Sequence, residues 1–144
     1  MSSSSPRTAA ALGCGFEGHR PLSDGSDRLL HILRETCLSE IRSDQPDLTL
    51  RQLAVLLIVY QTEELQTVRG VAKHLNISKT GVGRVLKRLE ELEMVYRTID
   101  GRDLRSVRLR RTAAGGMVVE RLGVAMTEAA AGFGGALSEV PTNV

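Results

Sequence analysis

The sequence predicts a mainly α-helical chain with one small β-hairpin, and three observations support this fold class. Between Thr67 and Glu93 a short amphipathic helix, a tight break and a second capped helix follow one another. Two segments of alternating polarity, 94–99 and 106–110, then flank a turn that contains an Asp-Gly pair. A helical pattern also lies on each side of this region. A helix-turn-helix followed directly by a hairpin is a winged helix-turn-helix.

Two helices and an arm are predicted before the helix-turn-helix. Residues 1–22 are rich in Ser, Gly and Ala and show no period, which is typical of a flexible arm. Asp24 to about Arg42 is a helix with a broad apolar stripe, on which we interpret Cys37 as a small core residue. Thr49 and Gln52 form a capping box before a helix that is apolar nearly all round. We expect this helix to be the most buried.

The helix-turn-helix is recognised by its caps. Thr67 is a good N-cap for the first helix, and Asn76 tolerates the left-handed conformation that ends a helix sharply. Ser78 then caps the second helix. Its apolar positions follow the i, i+3, i+4, i+7 pattern and are Val82, Val85, Leu86 and Leu89. These residues are therefore expected to face the first helix.

The opposite face of the second helix is basic. It carries Lys79, Thr80, Gly83, Arg84 and Lys87. Gly81 and Gly83 each cost a helix roughly 1 kcal/mol relative to Ala, and they allow another surface to come close to the backbone. A cationic helix face is often merely solvated. The spacing of Ala72, Asn76 and Val82 adds weight to the alternative, which is DNA recognition.

The hairpin and a last helix complete the pattern. The arginines of the hairpin are Arg102 and Arg105 near its tip and Arg108 and Arg110 on one face. Thr112 is expected to cap a helix from Ala113 to about Gly132, where a group of glycines ends it. Residues after Leu137 are expected to fray.

Positive charge is concentrated in one third of the chain. Residues 67–111 contain twelve Lys and Arg against five Asp and Glu, a net charge of +7, whereas the whole chain carries +2. Such a distribution is typical of a nucleic-acid surface. An aromatic content of 3% without Trp argues against a carbohydrate site or an RNA stacking platform. No segment is long enough to span a membrane, so we expect a cytoplasmic protein.

Catalysis and metal binding are not predicted. Ser78, Cys14 and Cys37 are the candidate nucleophiles, and none has a His and an acid at a recognisable spacing. The histidines His19, His31 and His74 lie far apart in the sequence. We therefore expect no enzyme activity, no cofactor and no metal. Redox activity of Cys14 or Cys37 is left open.

Several short motifs resemble those of the MarR family of winged-helix transcriptional regulators, over about 48–115. The motifs are Leu50-Arg51-Gln52, residues 71–78 across the helix turn, residues 85–90 with Met94-Val95, Asp103-Leu104-Arg105, and Thr112-Ala113-Ala114-Gly115. Arg111 departs from the pattern, because the family has an apolar residue there. The resemblance implies a homodimer through the N- and C-terminal helices. It also implies a wing arginine, Arg105, that reaches a minor groove and is paired with and oriented by Asp103.

The predicted domains follow from these patterns and the resemblance. They are a flexible arm (1–22), an N-terminal dimerisation helix (23–48), a winged helix-turn-helix DNA-binding domain (49–114), and a C-terminal dimerisation helix with a frayed tail (115–144).

The leading hypothesis is a sequence-specific regulator that binds double-stranded DNA, a homodimeric repressor on a pseudo-palindromic operator. Phosphate contacts are assigned to Thr67, Arg69 and Ser78, groove contacts to Lys79, Thr80, Arg84 and Lys87, and wing contacts to Arg102 and Arg105. The alternative is a winged-helix protein-interaction module without specific DNA binding. A small-molecule effector is possible in either case, and the sequence does not identify one.

Overall fold

The computed structural model describes residues 24–136, and side chains within it from 25 to 133. The elements are α1 (Asp24–Arg42), α2 (Leu50–Gln61), α3 (Val68–Leu75), α4 (Lys79–Glu91), β1 (Val95–Ile99), β2 (Val107–Arg111) and α5 (Ala113–Ala136). The predicted arm, Cys14, His19 and the predicted frayed tail lie outside the described residues. The mainly α fold with a two-stranded antiparallel hairpin confirms the predicted fold class.

Helix α2 runs through the centre of the fold. Its capping box forms as predicted, because the Gln52 amide donates to Thr49 Oγ1 at 3.2 Å and the Thr49 amide donates to Gln52 Oε1 at 2.9 Å. Only its first two residues and its last are exposed. The core that α2 shares with the helix-turn-helix and the hairpin includes Val55, Leu56, Val71, Val82, Leu86, Leu89 and Leu109. Burial of this apolar surface is the main stabilising contribution to the domain.

Arg111 has a structural role at the far end of α2. Its Nε donates to the Val59 carbonyl at 2.9 Å, and its terminal nitrogen donates to the Thr62 carbonyl. The last carbonyls of a helix lack partners inside the helix. Arg111 satisfies two carbonyls at this end, and its guanidinium lies 5.8 Å from the centre of the Tyr60 ring. Arg111, which stands where the resemblance leads us to expect an apolar residue, therefore caps the end of α2 with its guanidinium.

Tyr60 joins α2 to both ends of the hairpin. Its hydroxyl accepts a hydrogen bond from the Thr112 amide at 2.8 Å and lies 2.8 Å from the Met94 carbonyl, to which it donates. A Cβ at Gly115 would overlap the Tyr60 hydroxyl and the Met94 carbonyl. Gly115 is thus the residue that lets α5 start close against this junction. Thr112 also caps α5 as predicted, because its Oγ1 accepts from the Gly115 amide at 3.0 Å.

Helix α4 ends in an unusual backbone conformation. Glu93 has φ of 57°, in the left-handed region that favours Gly or Asn. The Met94 amide donates to the Leu89 carbonyl at 2.9 Å, and the Glu93 amide donates to the Glu90 carbonyl at 2.9 Å. Such bonds satisfy the last carbonyls of the helix and turn the chain into β1.

Helices α1 and α5 pack against each other in antiparallel orientation. Glu40 near the end of α1 accepts two hydrogen bonds from Arg121, at 3.0 and 2.7 Å. Towards the start of α1, the His31 ring lies 5.2 Å from the ring of Phe133. Helix α5 therefore continues past the glycine at which we expected it to end, because its packing against α1 outweighs the weak helix propensity of glycine.

The outer face of α1 carries the apolar residues that do not meet α5. Leu29, Leu33, Cys37 and Ile41 recur every fourth residue and are all exposed. Ile32 is half-buried and Thr36 is buried, and both share a helix face with Glu40, which contacts α5. The interpretation of Cys37 as a core residue is therefore wrong, because α1 turns the neighbouring stripe towards α5.

Among the described residues, no helix combines the length and apolarity that crossing a membrane requires.

Candidate nucleic-acid interface

The predicted caps hold the helix-turn-helix together. Thr67 Oγ1 accepts from the Gly70 amide at 3.0 Å, and Ser78 Oγ accepts from the Gly81 amide at 3.1 Å. Asn76 lies in the left-handed region, with φ 52° and ψ 44°. The chain can therefore turn sharply between α3 and α4 without a glycine. All three local predictions are confirmed.

Helix α4 has one buried and one open face. Val82, Val85, Leu86 and Leu89 are buried, as predicted. Lys79, Thr80, Arg84 and Lys87 are exposed, together with the cap residue Ser78. The side chains of Lys79, Thr80, Arg84 and Lys87 are therefore free of the core and can contact a ligand directly. The Ser78 hydroxyl already caps α4, so Ser78 can contact a ligand through its main chain.

The hairpin is fastened to α4 by an ion pair. Glu90 accepts two hydrogen bonds from the Arg97 side chain, at 2.9 and 2.7 Å, and one from the Arg97 amide at 3.1 Å. The hydrogen bond to Glu90 raises the pKa of Arg97 above its usual range. Bidentate pairs of this kind fix geometry as well as adding energy. The position of the wing relative to α4 is therefore constrained.

A second set of contacts joins the hairpin to the start of α3. Thr67 and Arg108 form an antiparallel bridge, and the Leu109 amide donates to the Gln66 carbonyl at 2.8 Å. The residues before α3 thus lie beside β2 and are joined to it by an isolated bridge. This contact brings the start of α3 and the wing to the same side of the domain.

The loop of the wing is longer than its Asp-Gly pair indicates. The strands pair from Val95 with Arg111 to Ile99 with Val107, which leaves seven residues between them. Gly101 does not adopt a positive φ. The Asp100 carboxylate instead accepts from the Arg102 amide at 3.0 Å, so the side chain organises the loop.

Asp100 also forms the ion pair that braces this hairpin. Its Oδ2 lies 2.6 Å from a terminal nitrogen of Arg108 and accepts from Arg108 Nε at 2.7 Å. The hydrogen bond from the Arg102 amide, followed by that from the Arg108 side chain, lowers the pKa of Asp100. Arg108 is half-buried, like Arg110 on the same strand.

Asp103 contacts Arg105 through the backbone. Its carboxylate accepts from the Arg105 amide at 3.0 Å. This bond fixes the loop backbone at Arg105, whose side chain is exposed. A role for Asp103 in orienting the Arg105 guanidinium stays a prediction.

A recess of about 570 Å³ lies between the start of α3, the first turns of α4 and the wing. Its walls include five of the predicted site residues, namely Thr67, Arg69, Lys79, Asp103 and Arg105, together with Gly83. The tertiary structure therefore brings together residues that are up to 38 positions apart in the sequence. Ser78, Thr80, Arg84, Lys87 and Arg102 do not line the recess and are exposed beside it.

The residues that position the site were missed by sequence reasoning. Glu90 and Asp100 each pair with an arginine seven or eight residues later, across a turn into or within the hairpin. The sequence signal was weak, because these pairs depend on strand register rather than on helix spacing. Within the described part of the chain, no group of three or more His, Cys, Asp and Glu side chains is placed to hold a metal.

Comparison with protein families supports the geometric description. Residues 47–106 match the family model described as the MarR family. This segment is therefore similar to the MarR family. It extends from the turn before α2 to the end of the wing loop, so α1 and α5 lie outside the match. The resemblance inferred from the short motifs is confirmed. None of the curated proteins matches the chain.

Several solved structures share the fold of this chain. The S. aureus MepR–DNA complex is 24% identical, with a TM-score of 0.61 over 72% of this chain and 82% of that chain. The transcriptional regulator Tm0710 from Thermotoga maritima is 23% identical, with a TM-score of 0.60 over 72% and 70%. YusO from Bacillus subtilis is 21% identical, with a TM-score of 0.60 over 75% and 74%.

Proposed function

We propose that this protein is a transcriptional regulator that binds double-stranded DNA, and that it acts as a homodimeric repressor on a pseudo-palindromic operator. The observation that carries the proposal is the cationic surface formed by the open face of α4 and the recess beside it. Lys79, Arg69 and Arg105 meet at that recess, although they come from three different elements. A surface that neutralises several phosphates provides most of the affinity of a DNA-binding protein.

The dimensions of α4 suit the major groove. That groove is roughly 12 Å wide and accepts one α-helix, and the open face of α4 carries the side chains that would read base edges. Arg84 is the candidate for a bidentate contact to guanine, because its planar fork matches the O6/N7 edge. Thr67, Arg69 and the amides at Ser78 would bind phosphates on either side.

The wing would lie over the adjacent minor groove. Arg102 and Arg105 are exposed in its loop. A narrow minor groove has an enhanced negative potential that attracts arginine. The ion pair of Glu90 with Arg97 ties the hairpin to α4, and the ion pair of Asp100 with Arg108 braces the hairpin itself. The two elements can therefore reach neighbouring grooves together.

A solved structure with the same fold supports the proposal that this chain binds DNA. The S. aureus protein MepR, which shares the fold, has been solved as a complex with DNA and, as a variant, bound to an oligodeoxyribonucleotide. We extend DNA binding from that protein to this chain as a proposal.

The outer faces of α1 and α5 support dimer formation. Leu33 is 58% exposed, Ile41 69% and Met117 69%, which leaves large apolar side chains in water on the two helices that flank the domain. Apolar patches of this kind mark interfaces between proteins. A two-fold dimer would present its two α4 helices to half-sites about 10 bp apart.

Salt dependence of DNA binding tests the proposal. Fluorescence anisotropy would follow labelled duplexes of random sequence at low and at physiological salt. With about 6–10 phosphate contacts in the dimer, affinity should fall by roughly 10³–10⁵ between 50 and 200 mM salt. Arg69→Ala should weaken binding and reduce this slope, whereas Arg28→Ala, an exposed arginine on α1, should change neither. Absence of binding at low salt would refute the proposal.

Selection of bound duplexes from a random pool would then identify the operator. We expect the recovered sequences to show two inverted half-sites, as a two-fold dimer requires. The protein is further proposed to act without catalysis and in the cytoplasm, with the effector, if there is one, still to be identified.

A further inference from the structure

We infer that a bound duplex brings its sugar–phosphate backbone against the main chain of α4 at Gly83, so that the absence of a side chain there sets how closely the helix approaches DNA. This inference rests on the proposed function, and it adds a residue that determines affinity without making a side-chain contact. Gly83 lies in the second turn of α4, inside the helix rather than at either end.

The fold itself gives no reason for glycine at this position. A Cβ built at Gly83 meets no atom within 4 Å, so the space beside it is open. Gly83 does not have a positive φ either. Glycine inside a helix lowers stability relative to alanine. Neither packing nor backbone conformation therefore compensates for this cost within the protein.

The neighbours of Gly83 point to the group that would use this space. Lys79 lies one turn before Gly83 and Lys87 one turn after it, so the three residues share one face of α4. Gly83 forms part of the wall of the recess, to which Arg69 and Arg105 also contribute. The open space at Gly83 therefore lies between the two positively charged side chains of Lys79 and Lys87. An extended polyanion such as the DNA backbone can pass between them against the helix only if no side chain projects at Gly83.

Gly81 provides a matched comparison in the same helix. A Cβ at Gly81 would lie 3.4 Å from Ser78 Oγ and 3.6 Å from Ile77 Cδ1, which is ordinary contact distance. The protein thus fills the space beside Gly81, on the side of α4 that faces the turn. An added methyl group would be directed at the protein there, whereas at Gly83 it would be directed at the ligand.

Three variants test the inference, with the full chain and a labelled 30-bp random duplex at low salt. Gly83→Ala should raise the melting temperature by about 2–4 °C, since alanine favours the helix. It should nevertheless bind the duplex about tenfold more weakly, and Gly83→Leu should bind more weakly still. Gly81→Ala should stay within about twofold of the wild-type affinity.

The outcomes separate the inference from the proposed function. If Gly83→Ala melts at or above the wild-type temperature and binds the duplex as tightly as wild type, the inference is overturned and the proposed DNA binding is left intact. An equal loss in Gly81→Ala and Gly83→Ala also overturns it, because the effect would then come from α4 as a whole. If the wild-type protein does not bind the duplex, both the proposed function and the inference are overturned.

Discussion

Removal of the Tyr60 hydroxyl should destabilise the domain without creating a cavity. In Tyr60→Phe the ring keeps its place in the core, but the Thr112 amide loses its acceptor at 2.8 Å and the Met94 carbonyl its donor at 2.8 Å. Both hydrogen bonds cross between elements more than 30 residues apart in sequence, so no local turn can replace them.

The expected loss follows from these two backbone groups. An unsatisfied buried polar group costs about 1–3 kcal/mol. Thr112 is half-buried, so water can recover part of the cost there, whereas Met94 is buried. We take about 1 kcal/mol for each group, the lower end of this range. A total of about 2 kcal/mol corresponds to a melting temperature about 4–8 °C lower for a chain of this size.

Thermal unfolding followed by circular dichroism measures this effect, and the second tyrosine supplies the control. Tyr96 is 48% exposed on β1, and the chain contains no further tyrosine. Loss of its hydroxyl should change stability by less than about 0.5 kcal/mol. If Tyr60→Phe melts together with wild type and Tyr96→Phe, the hydroxyl does not join α2 to the hairpin as described.

Four further predictions concern other parts of the molecule. Gly115→Ala should lower the free energy of unfolding by about 3 kcal/mol in urea titrations, because the new methyl group overlaps a backbone carbonyl. Glu93→Gly should raise it by about 1 kcal/mol in the same assay, since the left-handed conformation no longer strains a side chain. Arg84→Ala should cost about 1–3 kcal/mol of DNA binding and relax specificity at one base pair in a selection from random duplexes; a uniform loss for all sequences would make Arg84 a phosphate contact instead. The lowered pKa of Asp100 means that its carboxylate stabilises the wing above its unfolded pKa of about 3.9. This stabilisation is lost as pH falls through the lower, folded pKa; the Arg102 amide signal in NMR spectra should shift there in wild type and not in Asp100→Asn.

The caps of the helix-turn-helix could be predicted because their chemistry is local. Thr67 and Ser78 satisfy amides three residues away, and Asn76 ends α3 through its own backbone conformation. The buried stripe of α4 was equally predictable, since helix geometry alone places residues three and four apart on one face. For the same reason, the exposed cationic residues of α4 were identified correctly.

The choice between neighbouring faces of α1 could not be predicted in this way. Its sequence offers two adjacent stripes, and periodicity cannot tell which of them α5 covers. The contacts of Glu40 with Arg121 and of His31 with Phe133 decide the matter, and they leave Cys37 in solvent. The length of α5 depends on the same packing.

The sequence by itself determined where the helices start and where α3 turns into α4. It also determined that positive charge is concentrated around these two helices. Caps, periodicity and charge are properties of short segments, so they can be read without the tertiary structure. Only the tertiary structure decided how the wing lies beside α4, since Glu90 of α4 must reach Arg97 of β1. The same holds for the shape of the wing, in which Asp100 must reach Arg108 across the hairpin. The recess that brings Arg69, Lys79 and Arg105 together lies between α3, α4 and the wing loop. Its residues come from three elements, and the distances between elements are set by packing rather than by any local pattern.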